Sequence, residues 1–190
     1  MKEILLIGGG GHCKAVIDII EQTGIYIIAG IVDKEELIGS EVLGYKVIGC
    51  DDDLVKFREQ ISNAIVTVGH IKSNELRKKL YLKLKELDFT LPSIVSPLAY
   101  IAKGASVDEG SVVMHHAIVN SGAAIGKNSI INSKALVEHD SKIEDNCHIS
   151  TGAIVNGDVI VKEDSFVGSG AIVVQGSVVN GFVKAGSLAL

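Results

Sequence analysis

The triplet Glu138-His139-Asp140 combines the residue types of a general base. An imidazole gains and loses protons near neutral pH, so it is well suited to take a proton from an attacking amine or hydroxyl. A carboxylate beside it can fix its tautomer and stabilise the imidazolium that forms. Because consecutive strand residues point to opposite faces, such a pair between chain neighbours requires a bend, which an aspartate tolerates. The triplet therefore predicts a base at His139, with Glu138 or Asp140 as its partner.

A second chemical feature is the run of glycines from Gly8 to Gly11, which His12 follows. Glycines between a strand and a helix let the backbone approach a phosphate at the helix N-terminus. A complete G-x-G-x-x-G motif would need a third glycine where Cys13 stands, so an ordinary tight turn is the alternative interpretation. Strand ends of a parallel sheet meet at one edge, where ligands collect. The predicted nucleotide site comprises Gly9, Gly10, Gly11, His12, Asp33 and Gly69.

The elements that carry these glycines alternate between strand and helix. Short apolar runs predict strands over 3–8, 27–33, 45–49 and 64–69, and helical spacing or acidic starts predict helices over 12–23, 52–61 and 73–88. This alternation favours a small parallel sheet with helices on its faces.

From about Val95 the hydrophobic period becomes six. Valine or isoleucine occupies positions 95, 101, 107, 113, 119, 125, 131, 137, 143, 149, 155, 161, 167, 173 and 179. A small residue usually stands four places later, and glycine, asparagine or aspartate often stands just before it, where a left-handed corner would lie. The pattern predicts a three-sided solenoid of short strands with about eighteen residues per coil. His139 would lie at one of its corners.

The composition of the chain argues against several classes of protein, including nucleic-acid-binding, membrane and disulfide-rich proteins. The net charge is −5, which disfavours nucleic acids and anionic membranes as partners. No apolar run approaches the ~20 residues of a membrane span, and no signal peptide is expected. Three scattered cysteines (Cys13, Cys50 and Cys147) offer neither zinc spacing nor a disulfide framework, so a reduced, cytoplasmic protein is expected.

With these motifs together, the chain resembles a known family. The hexapeptide series, with GGGGHCKAV, IVD, VGHIKSNELRKKL, VEHD and CHISTGAIVNGD, is similar to the hexapeptide-repeat sugar acetyltransferases of bacteria over essentially its whole length. The chain resembles two groups of that family: the N-acetyltransferases of UDP-4-amino-sugars used in surface glycans, and the sialic-acid O-acetyltransferases. The resemblance implies a Rossmann-like nucleotide-sugar-binding domain over 1–90, followed by a left-handed parallel β-helix over 91–190.

The resemblance also implies roles for single residues. His139 corresponds to the family's base and Asp140 to its carboxylate partner, while the family places an acid at the position of Asp33, facing the nucleotide base. The other implied residues are Asn132, Ser133 and His148 at the sugar or acyl group, and Gly157 as the oxyanion donor beside the thioester. The family implies acetyl-CoA as co-substrate and a homotrimer with active sites between subunits. No metal is expected, and because no cysteine or serine stands in the context of an activated nucleophile, we expect direct attack without an acetyl-enzyme.

Other interpretations remain. We expect N-acetylation of a UDP-4-amino-sugar, with sialic-acid O-acetylation and a non-catalytic nucleotide-sugar-binding subunit as alternatives. A nicotinamide dehydrogenase is disfavoured because no second catalytic domain follows the short first half. A three-histidine zinc site, as in solenoid carbonic anhydrases, is disfavoured because the histidine spacing differs. The chain also lacks the family's closing Gly-x-Pro-Ala run, and ends instead in residues 183–190 without proline, which leaves the mode of CoA binding open.

Overall fold

The computed structural model describes all residues from 1 to 190. The chain forms two compact units, one comprising 1–69 and 75–92, the other 70–74 and 93–190. The junction lies two residues beyond the predicted boundary at 90. The assignment of 70–74 to the second unit has no counterpart in the sequence pattern, because that pattern reports only local periodicity.

The first unit is a five-stranded sheet with helices. Its elements are β1 (Lys2–Ile7), α1 (Gly11–Thr23), β2 (Tyr26–Val32), a 3-10 turn (Glu35–Leu37), β3 (Glu41–Val42), β4 (Tyr45–Gly49), a second 3-10 turn (Asp51–Asp53), α2 (Leu54–Arg58), β5 (Asn63–Val66) and α3 (Glu75–Glu86). The strand order is β3-β4-β2-β1-β5, parallel except for the β3–β4 hairpin. Three neighbouring parallel strands, β2, β1 and β5, thus end at one edge, where the glycine-rich turn lies.

Local sequence explains where α1 begins and ends. Val16, Ile17, Ile19 and Ile20 are fully or almost fully buried, as the helical spacing predicts, and Gly24 stops the helix in a left-handed conformation with φ of 60°. The helix predicted over 52–61 is shorter. A 3-10 turn precedes it, and the amides of Gln60 and Ile61 both bond to the carbonyl of Phe57, which closes the helix early.

The second unit is the predicted left-handed β-helix. Its two-residue strands, β6 to β22, begin at residues 94, 100, 106, 112, 118, 124, 130, 136, 142, 148, 154, 160, 166, 172, 178, 182 and 188. They form three parallel sheets of six, five and six strands. Ile118 pairs with Leu136 and Leu136 with Ile154, eighteen residues apart each time, so the predicted coil length is confirmed.

The corners of this unit also follow the prediction. Backbone φ is positive at nine predicted corner positions: Gly104, Gly110, Gly122, Asn128, Asp140, Asn146, Gly152, Asp158 and Asp164. His116 and Lys134 adopt the same conformation without that signal in their residue type. The last coil is shorter, since Val167 pairs with Val183, only sixteen residues later, across a turn at Gly181.

The core of the second unit is a column of small aliphatic side chains. The inward valines and isoleucines from Val113 to Val173 are at most 1% exposed, and the alanines between them fill the bends. Because each coil stacks on the next, the inward side chains are buried along the solenoid, and polar side chains lie at its corners. None of the helices in the chain is long and apolar enough to span a membrane.

Candidate active site

His139 lies on the corner that follows β13 (Leu136–Val137). Its Nδ1 is 2.9 Å from Oδ2 of Asp140, and the left-handed conformation of Asp140, with φ of 60°, bends the chain so that the two neighbouring side chains meet. Both side chains are more than half exposed. Since a carboxylate accepts the hydrogen bond, the proton of the neutral imidazole resides on Nδ1, and Nε2 carries a lone pair that can take a proton.

Glu138 has a different task. Its Oε2 accepts one hydrogen bond from Nδ2 of Asn120 at 2.9 Å and a second from the backbone amide of His139 at 3.2 Å. Asn120 belongs to the preceding coil, so this carboxylate ties two coils together at the corner. Of the two acids beside the histidine, Asp140 is therefore the one that holds the imidazole.

The surroundings of His139 favour its protonated form. The hydrogen bond to Asp140 raises the pKa of His139 above its ordinary value, and the charges of Asp140, Glu138 and Asp158 act in the same direction. A higher pKa makes the neutral imidazole a stronger proton acceptor, as general-base catalysis requires. The rise also means that a larger fraction is protonated, and inactive as a base, at mildly acidic pH.

Gly157 lies under the imidazole, one coil after His139. A Cβ at this position would be 2.6 Å from Nε2 of His139 and 2.7 Å from its Cε1, so the ring occupies space that only glycine leaves open. The backbone amide of Gly157 donates to no group of the chain, because Asn156 directs its side chain to the carbonyl of Val173. At other corners the corresponding amide is bonded to the preceding asparagine, as in Ser121 and Ser133.

Asn132, Ser133 and His148 belong to a different corner of the prism. Asn132 and Ser133 follow β12 (Ile130–Ile131) and precede the strand that leads to His139. Nδ2 of Asn132 is 3.0 Å from Nε2 of His148, and its Oδ1 accepts a hydrogen bond from the amide of Ser133 at 2.8 Å. No hydrogen bond joins this group to His139, so a single chain presents the predicted residues in two groups on either side of one sheet.

In the first unit, Asp33 organises the glycine-rich turn. One carboxylate oxygen accepts a hydrogen bond from the amide of Gly9 at 2.5 Å, and the other accepts from the amide of Lys34 at 2.8 Å. A Cβ at Gly9 would be 3.1 Å from that carboxylate, which explains the glycine there. Gly10 and Gly11 border open space at the start of α1, where no side chain caps the helix. Gly69 is in ordinary contact with His12.

Beside this turn is a cavity of about 340 Å³ within the first unit. It adds polar residues that sequence reasoning missed, above all Lys34, Glu35, Asp51 and Asp52. Asp51 and Asp52 begin the 3-10 turn after β4, at the same edge of the sheet as Asp33. Their position after a strand is the available signal, but in the sequence the acidic residues here indicate only the start of a helix.

The two buried cysteines, Cys13 and Cys147, do not have the properties of nucleophiles. Burial raises the pKa of Cys13 to about 11 and that of Cys147 to about 12, so both thiols are protonated near neutral pH. All three cysteines are free thiols. No group of three or more histidine, cysteine or acidic side chains is close enough to hold a metal ion.

Comparison with known proteins relates this architecture to a family. Residues 3–84 match the family model of the PglD N-terminal domain. The acetyltransferase domain of PglB from Neisseria gonorrhoeae is 30% identical, with a TM-score of 0.88, and the match covers 100% of this chain and 92% of that domain. PerB from Caulobacter crescentus, solved with CoA and GDP-perosamine, is 34% identical, with a TM-score of 0.91 and 89% of its chain covered. The chain belongs to the hexapeptide-repeat sugar acetyltransferases.

Two further matches complete this picture of the sugar acetyltransferase. A histidine-to-alanine variant of GDP-perosamine N-acetyltransferase from Caulobacter crescentus, also in complex with CoA and GDP-perosamine, is 33% identical and has a TM-score of 0.92, with 100% of this chain and 89% of that chain covered. An uncharacterized protein of Acanthamoeba polyphaga mimivirus is 32% identical over 114 residues, which are 60% of this chain but only 21% of that protein. The acetyltransferase thus spans about a fifth of that curated relative's length.

Proposed function

We propose that the chain transfers the acetyl group of acetyl-CoA to the amine of a UDP-linked 4-amino-sugar, with His139 as general base. The observation that carries this proposal is the arrangement at one corner: Asp140 holds Nδ1 of His139, and Nε2 lies against Gly157, whose amide has no acceptor in the chain. A proton acceptor and an oxyanion donor thus lie side by side. The similarity to PerB and to the PglB acetyltransferase domain supports acyl transfer to an amino sugar.

In this mechanism, the sugar nitrogen attacks the thioester carbonyl while Nε2 of His139 accepts the nitrogen's proton. Negative charge develops on the carbonyl oxygen and is stabilised by the amide of Gly157; one such donor contributes about 2.7–4 kcal/mol in other enzymes. The C–S bond then breaks, and the imidazolium returns its proton to the departing thiolate. Asp140 keeps the ring in the required tautomer throughout. No residue forms a covalent intermediate, in keeping with the buried, protonated cysteines.

The nucleotide is assigned to the first unit. The amides at the start of α1, with Gly10 and Gly11 facing open space, suit a diphosphate, and the adjoining cavity of about 340 Å³ suits the nucleoside. Lys34 supplies a positive charge among the cavity's acids. Since the relative PerB was solved with a GDP-linked sugar, the identity of the base must be measured along with that of the sugar.

We further propose that the active sites are completed between copies of the chain, as a homotrimer would allow. The outer face of the sheet between the His139 corner and the Asn132 corner is apolar along its whole height. Its outward residues are Tyr100, Ile118, Leu136, Ile154, Ile172 and Leu188, and four of the six are exposed. Burying this face against another copy would cover the apolar side chains and supply the second group of site residues from a neighbour.

The deciding experiment measures free-thiol release from acetyl-CoA with a UDP-4-amino-sugar, GDP-perosamine and sialic acid in parallel. We expect release with a nucleotide-linked amino sugar and a loss of 10²- to 10⁴-fold in His139→Asn. His116→Asn is the matched control, because it makes the same change at another exposed corner. Release with sialic acid alone would identify an O-acetyltransferase, and nucleotide-sugar binding without any release would identify a binding subunit.

A complementation experiment tests the shared site. His139→Ala and Asn132→Ala chains, each with impaired turnover, are mixed, dissociated and reassociated. If a site combines residues of two chains, some mixed assemblies contain an intact site and activity is regained. Activity that stays at the level of the separate variants, or a monomer in sedimentation, would contradict the shared site and leave the chemistry at His139 untouched.

A further inference from the structure

His148 is held in a nearly closed pocket of the second unit. It belongs to β15 (His148–Ile149) and is only 6% exposed. The rings of His70 and Phe166 pack edge-on against it, each with its centroid 5.2 Å away. The ring therefore has one defined position, although it points outward from the solenoid.

Two hydrogen bonds determine its tautomer. Nδ1 of His148 lies 2.7 Å from the backbone carbonyl oxygen of His70, which can only accept, so Nδ1 carries the proton. On the other side, Nε2 lies 3.0 Å from Nδ2 of Asn132. Because Oδ1 of Asn132 accepts the amide of Ser133, its NH₂ group must face the imidazole and donate to it. His148 is thus a neutral imidazole with its lone pair occupied.

We infer that His148 is a positioning residue that acts through Asn132, and that it neither binds the sugar directly nor exchanges protons with it. Its acceptor nitrogen and the amide of Ser133 together fix the Asn132 carboxamide in one of its two orientations. Asn132 is half-buried, and its remaining N–H is the group left to donate to an oxygen of the acceptor sugar. This inference rests on the proposed function, which places Asn132 at the sugar.

The alternative orientation shows why the fixation matters. With the carboxamide turned over, its oxygen would face the lone pair of Nε2 and its NH₂ would face the donating amide of Ser133, so both contacts would become repulsive. Without His148, only the single bond to Ser133 would hold the group. The free energy of ordering the side chain would then have to be supplied by the bound sugar, which weakens binding.

A double-mutant cycle tests this inference. We expect His148→Leu to raise the KM for the amino sugar about tenfold, because the hydrogen bond from Asn132 to the sugar would be imperfectly oriented. The change in kcat should be much smaller. In the Asn132→Ala background the same substitution should leave KM unchanged, because the group through which it acts is gone. Additive effects would show that His148 contacts the sugar itself, and would overturn the inference.

Two further variants separate positioning from packing. His148→Gln places an amide oxygen where it can accept from Asn132, so it should restore most of the lost affinity. Phe166→Leu removes part of the aromatic packing and leaves both hydrogen bonds in place, so KM should remain within about twofold of wild type. An effect of Phe166→Leu as large as that of His148→Leu would show that loss of packing, rather than loss of the Asn132 contact, explains the result.

A measurement that does not depend on turnover keeps the inference separate from the proposed activity. Long-range ¹H–¹⁵N spectra of the imidazole rings distinguish the Nδ1–H tautomer from the Nε2–H tautomer and from the imidazolium. We expect the Nδ1–H tautomer for His148 in the intact protein near neutral pH. Either of the other forms would overturn the inference even if amino-sugar acetylation were established, and the expected form would support the fixed contact even if the acceptor were a different sugar.

Discussion

The imidazole of His139 rests on the backbone of Gly157, a residue that follows it by one complete coil of the solenoid. The contact places the proton acceptor, Nε2, next to an amide that has no acceptor within the chain. Any Cβ at position 157 would lie inside the van der Waals distance of the ring. The absence of a side chain at Gly157 is therefore as much a part of the site as the imidazole itself.

Replacing Gly157 with alanine should abolish most activity at little cost in stability. The φ of Gly157 is not in the left-handed region, so alanine is tolerated by the backbone, and the exposed imidazole can swing away from the new methyl group. The displaced base and the crowded amide should lower kcat/KM at least a hundredfold. Thiol-release kinetics and thermal unfolding of the same sample provide both measurements.

Gly104→Ala is the contrasting control. Gly104 occupies a corner with φ of 85° and has nothing closer to its Cβ position than the hydroxyl of Ser121 at 4.0 Å. Alanine should cost about 1–2 kcal/mol through backbone strain alone, with unchanged activity per folded molecule. If Gly157→Ala behaved like Gly104→Ala, losing stability but not activity, the proposed contact with the base would be of no catalytic importance.

Asp140→Asn should change both the rate and its pH dependence. The hydrogen bond to Asp140 is the main cause of the raised pKa of His139, so the pKa should fall towards its ordinary value in the variant. Because His139 can act as the proposed general base only when neutral, the acidic limb of the kcat/KM profile should move to lower pH. The plateau should nevertheless fall by about tenfold to a hundredfold, since a carboxylate no longer fixes the Nδ1–H tautomer.

Asp158→Asn is the matched control for this experiment. Asp158 occupies the equivalent corner one coil later, with φ of 57°, and asparagine tolerates that conformation as well as aspartate does. It acts on His139 through its charge and has no hydrogen bond to the ring. We expect a small shift of the acidic limb in the same direction and an unchanged plateau. A plateau loss equal to that of Asp140→Asn would mean that charge alone, rather than the hydrogen bond, supports the base.

The solenoid and the corner that carries His139 were predictable because their determinants are local. Val137 points inward and Asp140 turns the corner for reasons contained within a single hexad, and the period of eighteen fixes which residues stack. The residues alone left Glu138 and Asp140 as alternative partners of His139, and only the family resemblance favoured Asp140, whose bend at the corner brings it to the ring. The shorter final coil at Gly181 departs from the period and so was not predicted.

The environment of His148 could not be predicted, because it depends on contacts distant in sequence. The carbonyl of His70 is seventy-eight residues from the imidazole that it binds, in a segment without any repeat. The partnership with Asn132 spans sixteen residues and so falls outside the eighteen-residue stacking. Likewise, the cavity acids Asp51 and Asp52 meet Asp33 only because β4 lies beside β2 in the sheet, an order that single strands do not reveal.

Arg77 should prove important for the stability of the first unit. It is fully buried on α3, and its Nη1 donates to the carbonyls of Val66 and Val68 at 2.8 and 2.9 Å. Arg77→Ala leaves both carbonyls without this donor and opens a large cavity, so we expect a loss of about 3 kcal/mol or more. All three α-helices lie in this unit, so urea unfolding followed by circular dichroism at helical wavelengths reports on it. Lys79→Ala, on the exposed side of α3, should change stability by less than about 0.5 kcal/mol.

Asp33→Ala should weaken nucleotide binding without affecting the second unit. Asp33 bonds the amides of Gly9 and Lys34, so its loss should let the glycine-rich turn sample other conformations, and ordering the turn would then oppose binding. We expect the Kd for the nucleoside diphosphate to rise about tenfold in calorimetric titrations. Asp18→Ala on the exposed side of α1 serves as the control, since it removes the same charge without touching the turn. Tighter binding in Asp33→Ala would contradict this prediction. It would mean that the carboxylate repels the diphosphate and occupies an amide to which the phosphate binds. The phosphates of the nucleotide would then lie at the amide of Gly9 rather than at the start of α1.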